Sequence, residues 1–256
     1  GHVQDQFGQK MSKSKGNAIS PFEALEKYGA DPIRWYFLSN SAPWLPNKFY
    51  DKAVLDGQRR FLGTLYNTYA FYVLYADIYQ FDPTKHPLEQ SALTVMDRWI
   101  LSRLNHTVGE VDDHMTNYRL PEAARSLQDF VEVLSNWYVR RSRERFWRDE
   151  LDADSFAAFT TLYTCLSTLS RAAAPMIPFM TEEIYQNVVR TVDTDAPESV
   201  HLCTYPAVDE SLLDPALEAE MEEVLAVVTL GRAARNGAAI KNRQPLPALY
   251  VKGGRP

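Results

Sequence analysis

Cysteine is scarce in this chain of 256 residues: Cys165 and Cys203 are the only two. That excludes a disulfide scaffold and a Cys-rich zinc site, and it points to a reducing, cytoplasmic setting. No apolar run reaches the roughly 18 residues of a membrane-spanning helix. The opening residues, Gly1 to Asp5, carry no apolar signal region, and so abrupt a start points to a chain cut from something longer. Alternating strand patterns, internal repeats, a dinucleotide-type glycine fingerprint, metal-ligand spacing and a local nucleophile motif are all missing. No metal site is therefore expected. The five histidines are scattered and read as ordinary surface or core residues.

Hydrophobic residues make up 45% and charged residues 23%, enough for a sizeable core and too ordinary for a disordered or low-complexity chain. The net charge of −6 argues against a general polyanion binder, but the charges are unevenly placed. Thr191 to Glu223 holds ten acids and no Lys or Arg; Val224 to Pro256 holds six Lys or Arg and no acid. Asn136 to Arg148 carries five Arg against one Glu, and Lys10 to Lys15 holds three Lys. Local basic surfaces on an acidic background suit specific polyanion contacts.

Residues 1–19 read as a strand end and a loop. Ser20-Pro21-Phe22-Glu23 has the form of a capping box opening a short helix, with Gly29 as its C-terminal cap. Asp31-Pro32 opens a second helix through Ser39, and Asp51 is placed to cap a long one to about Asp77. Its apolar positions Phe61, Leu62, Leu65, Tyr69 and Tyr72 recur at helical spacing and read as core. Further helices are expected over 95–113, 121–149, 154–174 (capped by Asp154), 181–191 and from Asp214 into the 230s. Residues 192–213 read as irregular, and Leu249-Tyr250-Val251 as the start of a strand. The expected fold is mainly α, an antiparallel helix bundle behind a short loop-and-strand remnant. It divides into 1–50, a helical domain over 51–230, and a junction segment over 231–256.

One stretch stands apart: Lys10-Met11-Ser12-Lys13-Ser14-Lys15-Gly16-Asn17. Three ammonium groups, hydroxyls and a glycine on a loop are the parts needed to grip a triphosphate. A charge run of this kind is usually a solvated loop, but a preset five-letter string arises by chance in such a chain on the order of once in ten thousand. The stretch resembles the K-M-S-K-S signature of class I aminoacyl-tRNA synthetases. Tyr28-Gly29-Ala30-Asp31 with Arg34-Trp35-Tyr36 resembles the segment after that signature in the isoleucine, valine and leucine enzymes. Ser135-Asn136-Trp137-Tyr138-Val139-Arg140-Arg141-Ser142-Arg143 with Arg145-Phe146-Trp147, Val200-His201-Leu202 and Lys241 to Leu246 resemble the isoleucyl type in particular.

The resemblance implies that Lys10, Met11, Ser12, Lys13 and Ser14 lie at ATP, which the full enzyme uses with magnesium. Lys13 would stabilise the pyrophosphate in the transition state, and Lys10 would contact phosphate or position the loop. Met11 suits packing better than ligation, Gly16 a backbone turn, and Asn17 a hydrogen bond within the loop. The family's His-x-Gly-His string is absent from this chain. Isoleucine and ATP would then be engaged through a catalytic half outside it. The piece alone would be inactive, with no cofactor bound, and monomeric. Residues 18–50 resemble a stem-contact region and the remaining helices an anticodon-binding domain, so the expected partner is tRNA for isoleucine.

The arginine run is the best local RNA candidate: Arg140, Arg141, Arg143, Arg145, Trp147 and Arg148. Arg141, Arg145 and Arg148 lie at helical steps of four and three and should share a face. Trp137 and Trp147 offer flat surfaces for unstacked bases. Against this, Trp137 and Tyr138 suit the bundle core, and some arginines could pair with Asp129, Glu132 or Glu144. Arg232, Arg235, Lys241 and Arg243 form a second basic group, equally readable as a helix end complementing its dipole. Three other functions compete: a valyl- or leucyl-type enzyme, a non-catalytic helical RNA-binding scaffold, and an unrelated helical module. The lysine signature argues against the scaffold and the spread of matches against the unrelated module.

Overall fold

In the computed structural model, residues 2–252 are described. They fall into two compact units, Gly1–Leu213 and Asp214–Pro256. The fold is mainly α, as expected. Residues 1–50 belong to the same unit as the helices that follow, and the unit boundary lies at Leu213.

The first unit opens on strand β1 (Val3–Gln4), followed by helices α1 (Pro21–Tyr28) and α2 (Ala30–Asn40) and strand β2 (Asn47–Lys48). β1 and β2 pair in parallel, Val3 with Asn47 and Gln4 with Lys48. Pro21 stands at the first position of α1, but the Ser20 side chain makes no capping hydrogen bond, so the expected capping box does not form. Gly29 links α1 to α2 at φ 81°, a conformation that disfavours a residue with a Cβ.

The predicted 51–77 helix is α3 (Asp51–Gly57) and α4 (Thr64–Ile78), joined by a π-helical turn over Gln58–Gly63. That turn carries Phe61 under Trp35, ring centroids 3.7 Å apart and nearly parallel. α5 (Val95–Thr116) begins with a complete capping box between Thr94 and Asp97. α6 (Leu120–Val133) passes through a π-helical turn (Leu134–Val139) into the short α7 (Arg140–Ser142), then a 3₁₀ turn (Arg143–Phe146). The chain therefore leaves helix at Phe146, short of the expected Asp149. The N-cap of α8 (Ala153–Ala173) is Asp152, which accepts from the Ser155 amide at 2.8 Å; Asp154, the expected cap, is used elsewhere.

α9 (Pro178–Tyr185) starts three residues earlier than expected, because Pro178 occupies the first helical position rather than ending the preceding helix. A π-helical turn (Gln186–Arg190) extends it. Residues 192–213 are irregular apart from two 3₁₀ turns. The core lies among α5, α6 and α8, where Trp99, Ile100, Leu127, Phe130, Leu134, Phe146 and Phe159 are buried. Each such side chain contributes about 1.5–3 kcal/mol relative to exposure.

The second unit is α10 (Pro215–Gly237), capped by Asp214 through the Leu217 amide, and a return segment without regular structure. Leu249, Tyr250 and Val251 form no strand; they are exposed.

Candidate functional site

The lysine loop is shaped by its own side chains. Gln4 bridges Lys10 across a tight turn, with Gly8 at φ 80°, and Asp5 accepts from the amides of Phe7 and Gln9. Lys13–Lys15 then make a 3₁₀ turn closed by Gly16 at φ 67°. Asn17 is the clamp. Its carbonyl oxygen accepts from the Ser12 amide at 2.9 Å; its amide group donates to Asp5 at 2.9 Å and to the Lys10 carbonyl at 3.3 Å. The Asn17 bond, with those from the Gln9 and Phe7 amides, holds the Asp5 carboxyl below its ordinary value. Ser12 and Ser14 share a hydroxyl hydrogen bond of 2.7 Å.

Met11 packs against the cluster of Ala24, Tyr28, Tyr36, Phe49 and Val54, so it anchors the loop. Lys10, Lys13, Ser14 and Lys15 are exposed around that anchor. Three cations are thus gathered on a short, pinned turn.

The arginine run divides in two. Arg140, Arg141 and Arg143 are exposed. The Arg141 guanidinium lies 4.7 Å from the Trp137 ring centroid, and Arg143 lies 6.0 Å from that of Phe71. Trp147 is 43% exposed and its ring contacts Tyr75 at 5.9 Å. Arg145 and Arg148 do not join this ridge. Arg145 is buried and makes a bidentate pair with Asp97, 2.8 Å on each branch, with Asp154 a further ion-pair partner at 2.9 Å. Arg148 pairs with Asp152 and, at 2.8 Å, with Asp154.

The expected shared face of Arg141, Arg145 and Arg148 is therefore corrected. In a 3₁₀ turn residues three apart eclipse. Arg145 follows buried Ser142 inward rather than following Arg141 outward. The carboxylates of this pairing are Asp97, Asp152 and Asp154, not the expected Asp129, Glu132 or Glu144. Asp97 is fully buried and also accepts from Tyr138 at 2.6 Å and from Thr94. Burial pushes its carboxyl up, but the Arg145 contacts, with Tyr138 and Thr94, outweigh that and hold it below the usual range.

Trp137, read above as core, is half-buried with Arg141 on its ring. Phe71 and Tyr75 are half-buried beside the ridge. No local signal in the sequence separates them from the core positions of the same helix. In the second unit, Arg235 donates to the carbonyls of Lys241 and Gln244 and staples the return segment, while Arg232, Lys241 and Arg243 are exposed. Among the described residues no cluster of His, Cys, Asp or Glu could hold a metal ion, and no helix is long and apolar enough to cross a membrane.

A second joint emerges that sequence reading missed. Asp31, buried near the start of α2, accepts from the amides of Met180 at 2.7 Å and Phe179 at 3.4 Å, in the first turn of α9. Burial raises its carboxyl, against the pull of those amides and of Arg34. Arg34 donates to the carbonyls of Pro175 at 2.7 Å and Met176 at 3.2 Å.

Residues 1–45 match the family described as tRNA synthetases class I (I, L, M and V). The isoleucine–tRNA ligase of Clostridium tetani is 53% identical over 98% of this chain, and that of Dehalococcoides mccartyi strain 195 is 49% identical over the same share. The chain spans about a quarter of the length of these curated relatives, 24% and 25%. A LeuRS–tRNA–LeuAMS ternary complex from Agrobacterium radiobacter K84 shares the fold at a TM-score of 0.62 and 20% identity, over 84% of this chain and 24% of that one. Methionyl-tRNA synthetase of Mycobacterium tuberculosis, in complex with methionyl-adenylate, does so at 0.59 and 17%, over 78% and 43%. Residues 97–250, more than half of the sequence, match the anticodon-binding domain of tRNA ligase, and the chain belongs to that family.

Proposed function

We propose that this chain is the part of an isoleucine–tRNA ligase that supplies the lysine loop for ATP and the helical surface for tRNA. The observation that carries the RNA reading is the ridge itself. Arg140, Arg141 and Arg143 are exposed, with Arg141 over the Trp137 ring, while Arg145 is buried on Asp97 and Arg148 is paired with Asp152 and Asp154. Guanidinium groups lying on or beside aromatic rings suit single-stranded loops, where phosphates and unstacked bases are both within reach. The tRNA-facing set is therefore Arg140, Arg141, Arg143 and Trp147, with Trp137 added; Arg145 and Arg148 act by holding it in place.

Lys10 and Lys13 are the catalytic candidates. They would engage the ATP phosphates from opposite sides of Met11 and Ser12, and Lys13 would meet charge growing on the leaving pyrophosphate. Ser12 and Ser14 supply hydroxyl donors. The loop offers cations rather than carboxylates, so magnesium would arrive on the triphosphate oxygens rather than in a protein cage. Relatives near 50% identity support isoleucine as the amino acid. Adenylate formation is assigned to the whole ligase, of which this chain matches a quarter, and the isolated chain is inactive. The free thiols of Cys165 and Cys203 fit a cytoplasmic protein.

The test is a titration of the chain into labelled tRNA for isoleucine at several salt concentrations, beside a tRNA with an altered anticodon. One chain per tRNA, binding that weakens with salt and weakens further with the altered anticodon, supports the reading. Equal weak binding to both removes it.

A further inference from the structure

The lysine loop is held by one side of α2, and the helical bundle by the other. At about 100° per residue, Asp31, Arg34 and Trp35 project from one face and Ile33, Tyr36 and Phe37 from the opposite one. The second face meets the loop: Met11 packs in the same cluster as Ile33, Tyr36 and Phe37, and the Tyr36 hydroxyl donates to the Lys48 carbonyl on β2. The first face meets the α8–α9 corner. There the chain turns through Pro175 and Pro178, presenting carbonyls in the turn after α8 and amides in the first turn of α9. Arg34 satisfies the carbonyls of Pro175 and Met176, and Asp31 satisfies the amides of Met180 and Phe179. One turn of one helix thus closes both halves of a corner more than 140 residues away in sequence.

We propose that Asp31 and Arg34 are positioning residues for the lysine loop: they lock α2 to the α8–α9 corner, and α2 sets where Met11, and with it Lys10 and Lys13, can stand. The assignment rests on reading that loop as the ATP-gripping element. It is specific to the polar latch, because the apolar contacts of α2 resist separation but tolerate a rotation about its axis. Charged and directional bonds to four backbone groups do not.

The test uses the full-length ligase that carries this chain, with pyrophosphate exchange as the readout. Arg34→Met removes both carbonyl contacts while keeping an apolar stem. It is expected to lower kcat by about ten- to a hundredfold, the scale of a misplacement near 1 Å, with the isoleucine KM unchanged. Arg34→Lys, which still donates to one carbonyl, is expected to recover most of the loss. Asp31→Asn, which keeps an acceptor for the Met180 amide, should show a smaller fall and serves if Arg34→Met does not fold. Leu169→Ala, a core truncation in α8 off the latch, controls for stability and should leave kcat within about twofold. A wild-type kcat for both Arg34→Met and Asp31→Asn while Lys13→Ala abolishes exchange overturns the latch, as does an equal fall in Leu169→Ala. Normal exchange in Lys13→Ala instead overturns the reading of the loop, and the positioning role with it.

Discussion

Asp97→Asn is the most demanding test of how the arginine ridge is built. Asp97 has no exposed surface and accepts five hydrogen bonds: two from Arg145, two from Thr94 and one from Tyr138. Asparagine keeps the shape and one acceptor oxygen but removes the charge. The Arg145 side chain, 10% exposed, would then face only Asp154, whose own side chain is 35% exposed. Two unit charges about 4 Å apart interact by about 4 kcal/mol at the effective dielectric constant of about 20 that suits such sites. Breaking one side of a buried pair costs about 3–5 kcal/mol, in agreement with that figure. For a unit of this size such a loss lowers the melting temperature by about 6 °C at the least. The assay is urea unfolding of the chain, comparing midpoints at constant slope. Loss below about 1 kcal/mol would refute the claim that this pair pins the run. The acid limb gives a second check. The folded Asp97 carboxyl is held below its unfolded value near 3.9, so its stabilisation is fully present above that pH and fades as pH falls through the folded value. Asp97→Asn should flatten that part of the stability profile.

Arg141→Ala should weaken tRNA binding and reduce the salt slope by about 0.7–0.9, one phosphate contact, whereas a ridge that does not touch RNA leaves the slope unchanged. Trp147→Ala, which removes a stacking surface, should cost about 1–3 kcal/mol of tRNA affinity with little change in salt slope. Asn17→Ala should speed hydrogen exchange at the Ser12 amide, since it removes the acceptor of that bond; unchanged protection would mean that the loop is held by something else. Cys165 is fully buried with its thiol pushed up, so it should resist a thiol reagent until the chain unfolds, while half-buried Cys203 reacts sooner.

What was legible in the sequence follows a physical line. Helices were readable where apolar spacing and a proline or acid at the start agreed, as in α10 with Asp214 and Pro215. The lysine loop was readable because its parts are contiguous. The ridge was only half readable, because a straight helical wheel carries Arg141 and Arg145 on one face, and nothing local announces the 3₁₀ tightening that turns Arg145 inward. Its partner Asp97 lies 48 residues earlier, and nothing in the sequence links the two. The same holds for Asp31 and Arg34, which read as the start of a short helix and are in fact the polar closure of a corner over 140 residues away. Buried charges in this chain are thus placed by tertiary demand: Asp97 and Arg145 answer each other, and Asp31 answers helix-end amides. An arginine count therefore overstates the surface proposed to face RNA. Of five guanidinium groups in the run, two are paired with the fold's own carboxylates, and three are left exposed.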